Sequence, residues 1–177
     1  MYSIDQTKAD CFVFTFKEGL LSAVAHDLKI RVTRFAIEVD EAARRVEGRF
    51  DAGSLRVACA MQDGVESKGT LSADQKRDIE TNIVNDVLEA KKHPEAHFVS
   101  SAVEEDDGGF RVQGQLSLHG KRKSVTVVVR KDRNRYVASA RVHQPDFGIR
   151  PYTAFLGTLK VKPDVEIQIL VPWPIAA

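Results

Sequence analysis

Two cysteines in 177 residues, Cys11 and Cys59, are too few for a disulfide framework, and neither sits in a CxxC pair. Each reads as a small buried hydrophobe, so redox chemistry is not expected. No apolar run approaches the ~18 residues that cross a bilayer as a helix, which excludes a transmembrane segment of that kind. The amino terminus, MYSIDQTKADCFVFTF, has no basic segment followed by an apolar stretch and a small-residue cleavage site. The expectation is a soluble, cytoplasmic chain as written, or a periplasmic one if it was trimmed at a processing site and given a new Met1. Charge of one sign is also lacking: 26 Lys and Arg stand against 25 Asp and Glu, a net charge of +1. That balance gives no reason to expect nucleic acid as a partner. The basic run Lys121-Arg122-Lys123 falls at a turn and reads as a solvated tip. HExxH and GxSxG patterns are absent, so no hydrolytic or metal-dependent motif is present.

What remains is a period of two, repeated along the chain. The 43 % hydrophobic content and the length suit one domain spanning 1–177 with a single core. The clearest segment is Arg111 to Arg130, RVQGQLSLHGKRKSVTVVVR, which spells a β-hairpin. Val112, Gly114, Leu116 and Leu118 face one way in its first arm, and Val125, Val127 and Val129 do so in its second. Gly120 permits the positive φ of a tight connection. Gly114 leaves room on the apolar face, which suits a sheet wrapped around something other than its own side chains.

Other segments repeat the pattern. Phe12, Phe14 and Phe16 alternate with Cys11, Val13 and Thr15, placing the aromatic residues on the inner face. The apolar segment 19–27 has no decisive period. Residues 26 to 40 read as one long strand whose parity switches between Val32 and Phe35, as a β-bulge near Thr33-Arg34 would produce. Val46, Gly48, Phe50 and Ala52 alternate again, residues 61–72 look like an exposed loop, and Ser72 with Gln75 has capping-box spacing. The helix opened there runs from Asp74 to Ala90, with Ile79, Ile83 and Val87 on one face, and stops before Pro94. Strands follow near Phe98, at 136–143 and at 165–171, with a longer loop at 144–160. Closure of these antiparallel strands removes free edges, so an eight-stranded barrel with an amphipathic helix packed beside it is the expected fold; a sandwich is the alternative.

Four places, in order, resemble the YceI-like family of lipocalin-like polyisoprenoid-binding proteins. They are Tyr2-Ser3-Ile4-Asp5, His93-Pro94 leading into Phe98-Val99-Ser100-Ser101, Gly114 through Gly120, and Asp146-Phe147-Gly148-Ile149. The resemblance implies an extended eight-stranded antiparallel barrel with a lipid tail, polyisoprenoid or quinone-like, in its interior. No other cofactor is implied. A long isoprenoid is held by removing apolar surface from water, at about 25 cal/mol per Å², so the site should be dispersed. Parity then nominates Phe12, Phe14, Phe16, Leu28, Ile30, Val32, Phe50, Leu116, Leu118, Val125, Val127, Val165, Ile167 and Ile169 as lining. Gly114 is the expected point of ligand approach and His26 the pocket mouth. The same side chains could instead fill a closed core.

Two further readings compete with a non-catalytic carrier. An enzyme would need His26, Asp27 and a distant His97 or His143 to converge, although neighbours on a strand point to opposite faces. A module with a filled barrel would use the loop 144–160, with Phe147, Tyr152 and Phe155, as a partner or homodimer surface. A metal is not expected. His93 and His97 are separated by Pro94, which breaks a shared helical face, and an extended chain puts them about 13 Å apart.

Overall fold

The computed structural model describes residues 1–19 and 25–172. Residues 20–24, the middle of the apolar segment without a clear period, lie outside them. The strands are β1 (Tyr2–Asp5), β2 (Asp10–Thr15), β3 (Lys17–Glu18), β4 (Asp27–Val32), β5 (Phe35–Asp40), β6 (Arg45–Asp51), β7 (Leu55–Gln62), β8 (Val65–Ser67), β9 (Glu95–Asp106), β10 (Gly109–Leu118), β11 (Lys121–Asp132), β12 (Arg135–His143), β13 (Thr153–Ala154), β14 (Leu159–Val161) and β15 (Asp164–Pro172). Helix α1 (Ala73–Asn82) continues into a π-helical turn, Ile83–Val87. Twelve strands form one antiparallel sheet in the order β1-β5-β6-β9-β10-β11-β12-β15-β2-β4-β7-β8, and β13-β14-β3 form a small second one.

The expected closed barrel of eight strands is therefore corrected to a curled sheet of twelve strands whose ends are β1 and β8. The four additional strands are β1, β5, β7 and β8, and two of them arise where the chain breaks and changes neighbours. The chain from 27 to 40 divides into β4 and β5 at Thr33-Arg34, and the chain from 45 to 62 divides into β6 and β7 at the 3-10 turn Ala52–Ser54. The parity switch that reads as a bulge is this break. Its two halves join different neighbours, β4 lying between β2 and β7 while β5 lies between β1 and β6.

A break in a sheet frees backbone groups that must find other partners. Here Thr33 N donates to Ser54 O at 3.0 Å, Asp51 N to Arg34 O at 3.1 Å, and Arg34 N to the Ser54 hydroxyl at 3.1 Å. Ser54 is accordingly buried although polar. The segment 61–72, expected to be an exposed loop, contributes β8, which pairs back on the end of β7.

The hairpin at 111–130 forms as β10 and β11, with Val112 opposite Val127 and Gly114 opposite Val125. Its two-residue turn has positive φ at both His119 (52°) and Gly120 (75°), the twist that suits a tight hairpin. The capping box is complete: Gln75 N donates to the Ser72 hydroxyl and Ser72 N to the Gln75 side chain. The α-helix runs only to Asn82, where the backbone widens into the π turn, with Leu88 N bonded to Ile83 O at 2.9 Å. Two polar contacts tie the helix to β7: Glu80 accepts from Val57 N at 2.8 Å, and Lys76 Nζ donates to Ala58 O at 2.9 Å.

Candidate functional site: an apolar cavity in two parts

Alternation puts one face of each long strand inside the curl, where Ile4, Phe35 and Ile37 share a core cluster with Cys11, Ile30 and Val32, yet the inner faces leave space between them. One cavity of about 610 Å³ lies against α1, and a second of about 510 Å³ lies beyond it. Phe50, Leu116, Val142 and Ile167 line both, so the two spaces adjoin across these side chains. Leu28, Ile30, Val32, Leu118 and Val165 line the first cavity. Val125, Val127 and Ile169 line the second, together with the small Ala138 and Ala140. His26 is exposed and, like Lys17 and Lys160, contributes to the lining of the first cavity. Asp40, Glu41, Arg44 and Arg45 border the second. The side chains common to both cavities are apolar and most of the remaining lining is too, an arrangement able to hold an apolar chain.

Three nominated aromatics are not in this lining. Phe12 and Phe14 share a face with their partners Arg31 and Lys29, whereas Val13 and Thr15 share the inner face with Ile30 and Leu28. Phe16 lines neither cavity. Phe12 is nonetheless only 4 % exposed, because Lys29 Nζ and Arg31 lie over its ring at 4.1 and 4.9 Å. The two cationic groups cover the ring in cation–π contact and are themselves paired with Glu66 and Asp10. Cys11, Val13 and Thr15 take the places expected of the phenylalanines.

Gly114 is likewise not a gap for a ligand. A Cβ there would fall 2.4 Å from Cζ of Phe98 and 2.5 Å from the Val99 carbonyl oxygen, so a neighbouring ring occupies the room. Gly48 is filled in the same way by Phe50, whose Cε2 lies 2.9 Å from the corresponding position. Alternation within β10 gives no sign that the filling side chain comes from β9.

The helix was expected only to pack beside the sheet. Its Ile79 and Ile83, with Val87 and Leu88 beyond, line the first cavity, so the helical segment is a wall of the site. The four-residue spacing of Ile79, Ile83 and Val87 was the available signal.

The family described as the YceI-like domain matches residues 2–172. The chain belongs to the YceI-like family. BcnA of Burkholderia cenocepacia is similar in structure, with a TM-score of 0.63 and 16 % identity over 95 % of this chain and 98 % of that one. A Campylobacter jejuni YceI protein superposes with a TM-score of 0.57 and 16 % identity, over 83 % of this chain and 84 % of its own. No curated protein matches the chain. Among the described residues, no helix is long and apolar enough to cross a membrane.

In this YceI-like protein Asp27, His97 and His143 are each held by a different partner. His97 Nε2 lies 2.8 Å from Glu47 Oε1, His143 Nδ1 lies 2.6 Å from Asp164, and Asp27 accepts from Lys17 N at 2.7 Å. His97 and His143 line neither cavity. Nor does the loop 144–160 present all its apolar residues outward: Phe147 and Ile149 are 2 % and 3 % exposed and belong to the core, while Tyr152 is exposed. Burial pushes the thiol of Cys11 up to about 12, so it stays protonated and a poor nucleophile. His93 does not pair with His97; it stands with His119, ring centroids 4.3 Å apart, close to Glu89.

Glu47 is the group most shifted by its neighbours. Hydrogen bonds from His97 and then Arg45 hold its carboxyl at about 2, below its ordinary 4.5. A depressed carboxyl contributes stability above its unfolded value and loses it as pH falls through the folded one. Stability is therefore expected to decline between about pH 4.5 and 2, and Glu47→Gln should flatten part of that decline. Denaturant midpoints taken across this range check it; identical slopes for both proteins would remove Glu47 from the account.

Proposed function

We propose that this YceI-like protein binds one long-chain apolar ligand of the polyisoprenoid or quinone-like class and carries or sequesters it without turnover. The observation that carries the reading is the pair of adjoining cavities sharing Phe50, Leu116, Val142 and Ile167. A single chain threaded past these four side chains would be desolvated along its length. At about 25 cal/mol per Å², roughly 200 Å² of buried chain contributes about 5 kcal/mol, without any directional contact. The polar groups in the lining can meet a head group.

Two observations favour binding over turnover. Asp27, His97 and His143, which an acid–base mechanism would bring together with His26, are each engaged with a different partner, and the cavity walls offer one thiol, which burial keeps protonated. Organic extraction of the protein, purified from its native host and from an expression host, followed by mass spectrometry, tests the proposal. A prenyl or comparable long-chain lipid at close to one per chain is the expected result. Extracts without such a lipid from both hosts overturn it.

A further inference from the structure

Outside the cavity, Glu89, His93 and His119 bring one ligand atom each to within 4.8 Å of one another. We propose that they form a binding site for a first-row divalent cation of the zinc type. The inference stands apart from whatever the cavity holds.

His119 is oriented by a backbone partner. Its Nδ1 lies 3.2 Å from the carbonyl oxygen of Phe147, and a carbonyl can only accept, so the proton sits on Nδ1. The lone pair of Nε2 is then turned toward Oε2 of Glu89, 3.2 Å away. Two acceptors at that distance repel unless a proton or a metal ion lies between them. A zinc-type ion would do so with ordinary geometry, because two bonds of about 2.05 Å at a tetrahedral angle place their ligand atoms about 3.3 Å apart. The Phe147 carbonyl would act as the outer partner that fixes the tautomer and aim of a metal-bound imidazole.

The other two ligands come from one turn. Glu89 has a left-handed φ of 46°, and Lys92 N and His93 N both bond to its carbonyl, at 2.8 and 3.0 Å. This closed turn holds the Glu89 and His93 side chains near each other. Lys92 Nζ occupies Oε1 of Glu89 at 2.6 Å, leaving Oε2 for the shared position. Two imidazoles and one carboxylate suit zinc and its neighbours better than calcium or magnesium, which prefer oxygen throughout. Three protein ligands leave a place for water or an outside ligand.

Location gives the site a consequence. Val87 and Leu88, just before Glu89, and Leu118, just before His119, all line the first cavity. A bound ion would therefore clamp the helical wall of the cavity to the tip of the β10–β11 hairpin.

The test uses the full chain, stripped with a chelator and titrated with Zn²⁺ by calorimetry and with Co²⁺ by visible absorption. One ion per chain is expected, with a tetrahedral Co²⁺ spectrum and a rise in melting temperature at saturating Zn²⁺. Glu89→Gln and His93→Gln should each weaken binding by at least about tenfold and erase the thermal shift, while melting near wild type without metal. His143→Gln, in a two-membered pair, should keep both. Absence of saturable binding, or equal binding by the Glu89 and His93 variants, overturns the proposal and leaves His119 and Glu89 as a metal-free polar contact.

Discussion

Replacing Leu116 with tryptophan is expected to weaken binding of a long prenyl chain by at least tenfold while sparing a chain short enough for one cavity. Leu116 projects from β10 and borders both cavities, with Phe50, Val142 and Ile167 around the same constriction. An indole at that point fills the passage. Each ~100 Å² of chain then left in water forfeits about 2.5 kcal/mol, close to two orders of magnitude in affinity. Overpacking a filled core costs about 1–3 kcal/mol, but here the added atoms enter existing space, so the melting temperature should move little. Competition between long and short prenyl alcohols for the purified protein, read by mass spectrometry of the bound fraction, separates the outcomes. Equal loss for both lengths, or for neither, would count against a chain threaded through the two cavities.

Gly114→Ala is expected to cost roughly 3 kcal/mol, the upper part of the range for overpacking. For a chain of this size that lowers the melting midpoint by about 6–12 °C. The new methyl would meet Cζ and Cε2 of Phe98 at 2.4 and 2.6 Å and the Val99 carbonyl oxygen at 2.5 Å. Phe98 is 8 % exposed and has little room to retreat, and the carbonyl belongs to the β9–β10 ladder beside a register shift at Gln113/Gly114. Adding Phe98→Leu should recover only part of the loss, since the carbonyl stays in place. Gly48→Ala is the comparison: its close contacts are all to side chains, Phe50 at 2.9 and 3.1 Å and Ile37 at 3.7 Å, so it should cost distinctly less. Equal thermal shifts for the two alanine variants would contradict this account.

These two sites show how legible the chain was. The β10–β11 hairpin, its turn and the capping box were readable because each depends on residues a few places apart, where alternation, positive φ and side-chain reach are local matters. The inward set on β4, β10, β11 and β15 was readable for the same reason. β2 was not. Both of its faces are apolar, so a period of two cannot say which points inward, and the cations that shield Phe12 come from β4. At Thr33-Arg34 parity marks a disruption but cannot distinguish a bulge from a break, and the strand Leu55–Gln62 has no clean period of its own. Gly114 was correctly placed on the inner face, yet the ring that fills its space comes from β9.

By itself, then, the sequence determined the β-rich class, the placement of the helix start and most of the alternation that lines the cavity, and its four separated motifs were enough to point to the YceI-like family. Only the tertiary structure decided which face of β2 turns inward, that the helix is a wall of the cavity, and that His93 meets His119 and Glu89 rather than His97. The physical reason is range. Period and capping are set by neighbours along the chain, whereas the filling of a gap, the covering of a ring and the meeting of three polar side chains depend on which segments the curled sheet brings together.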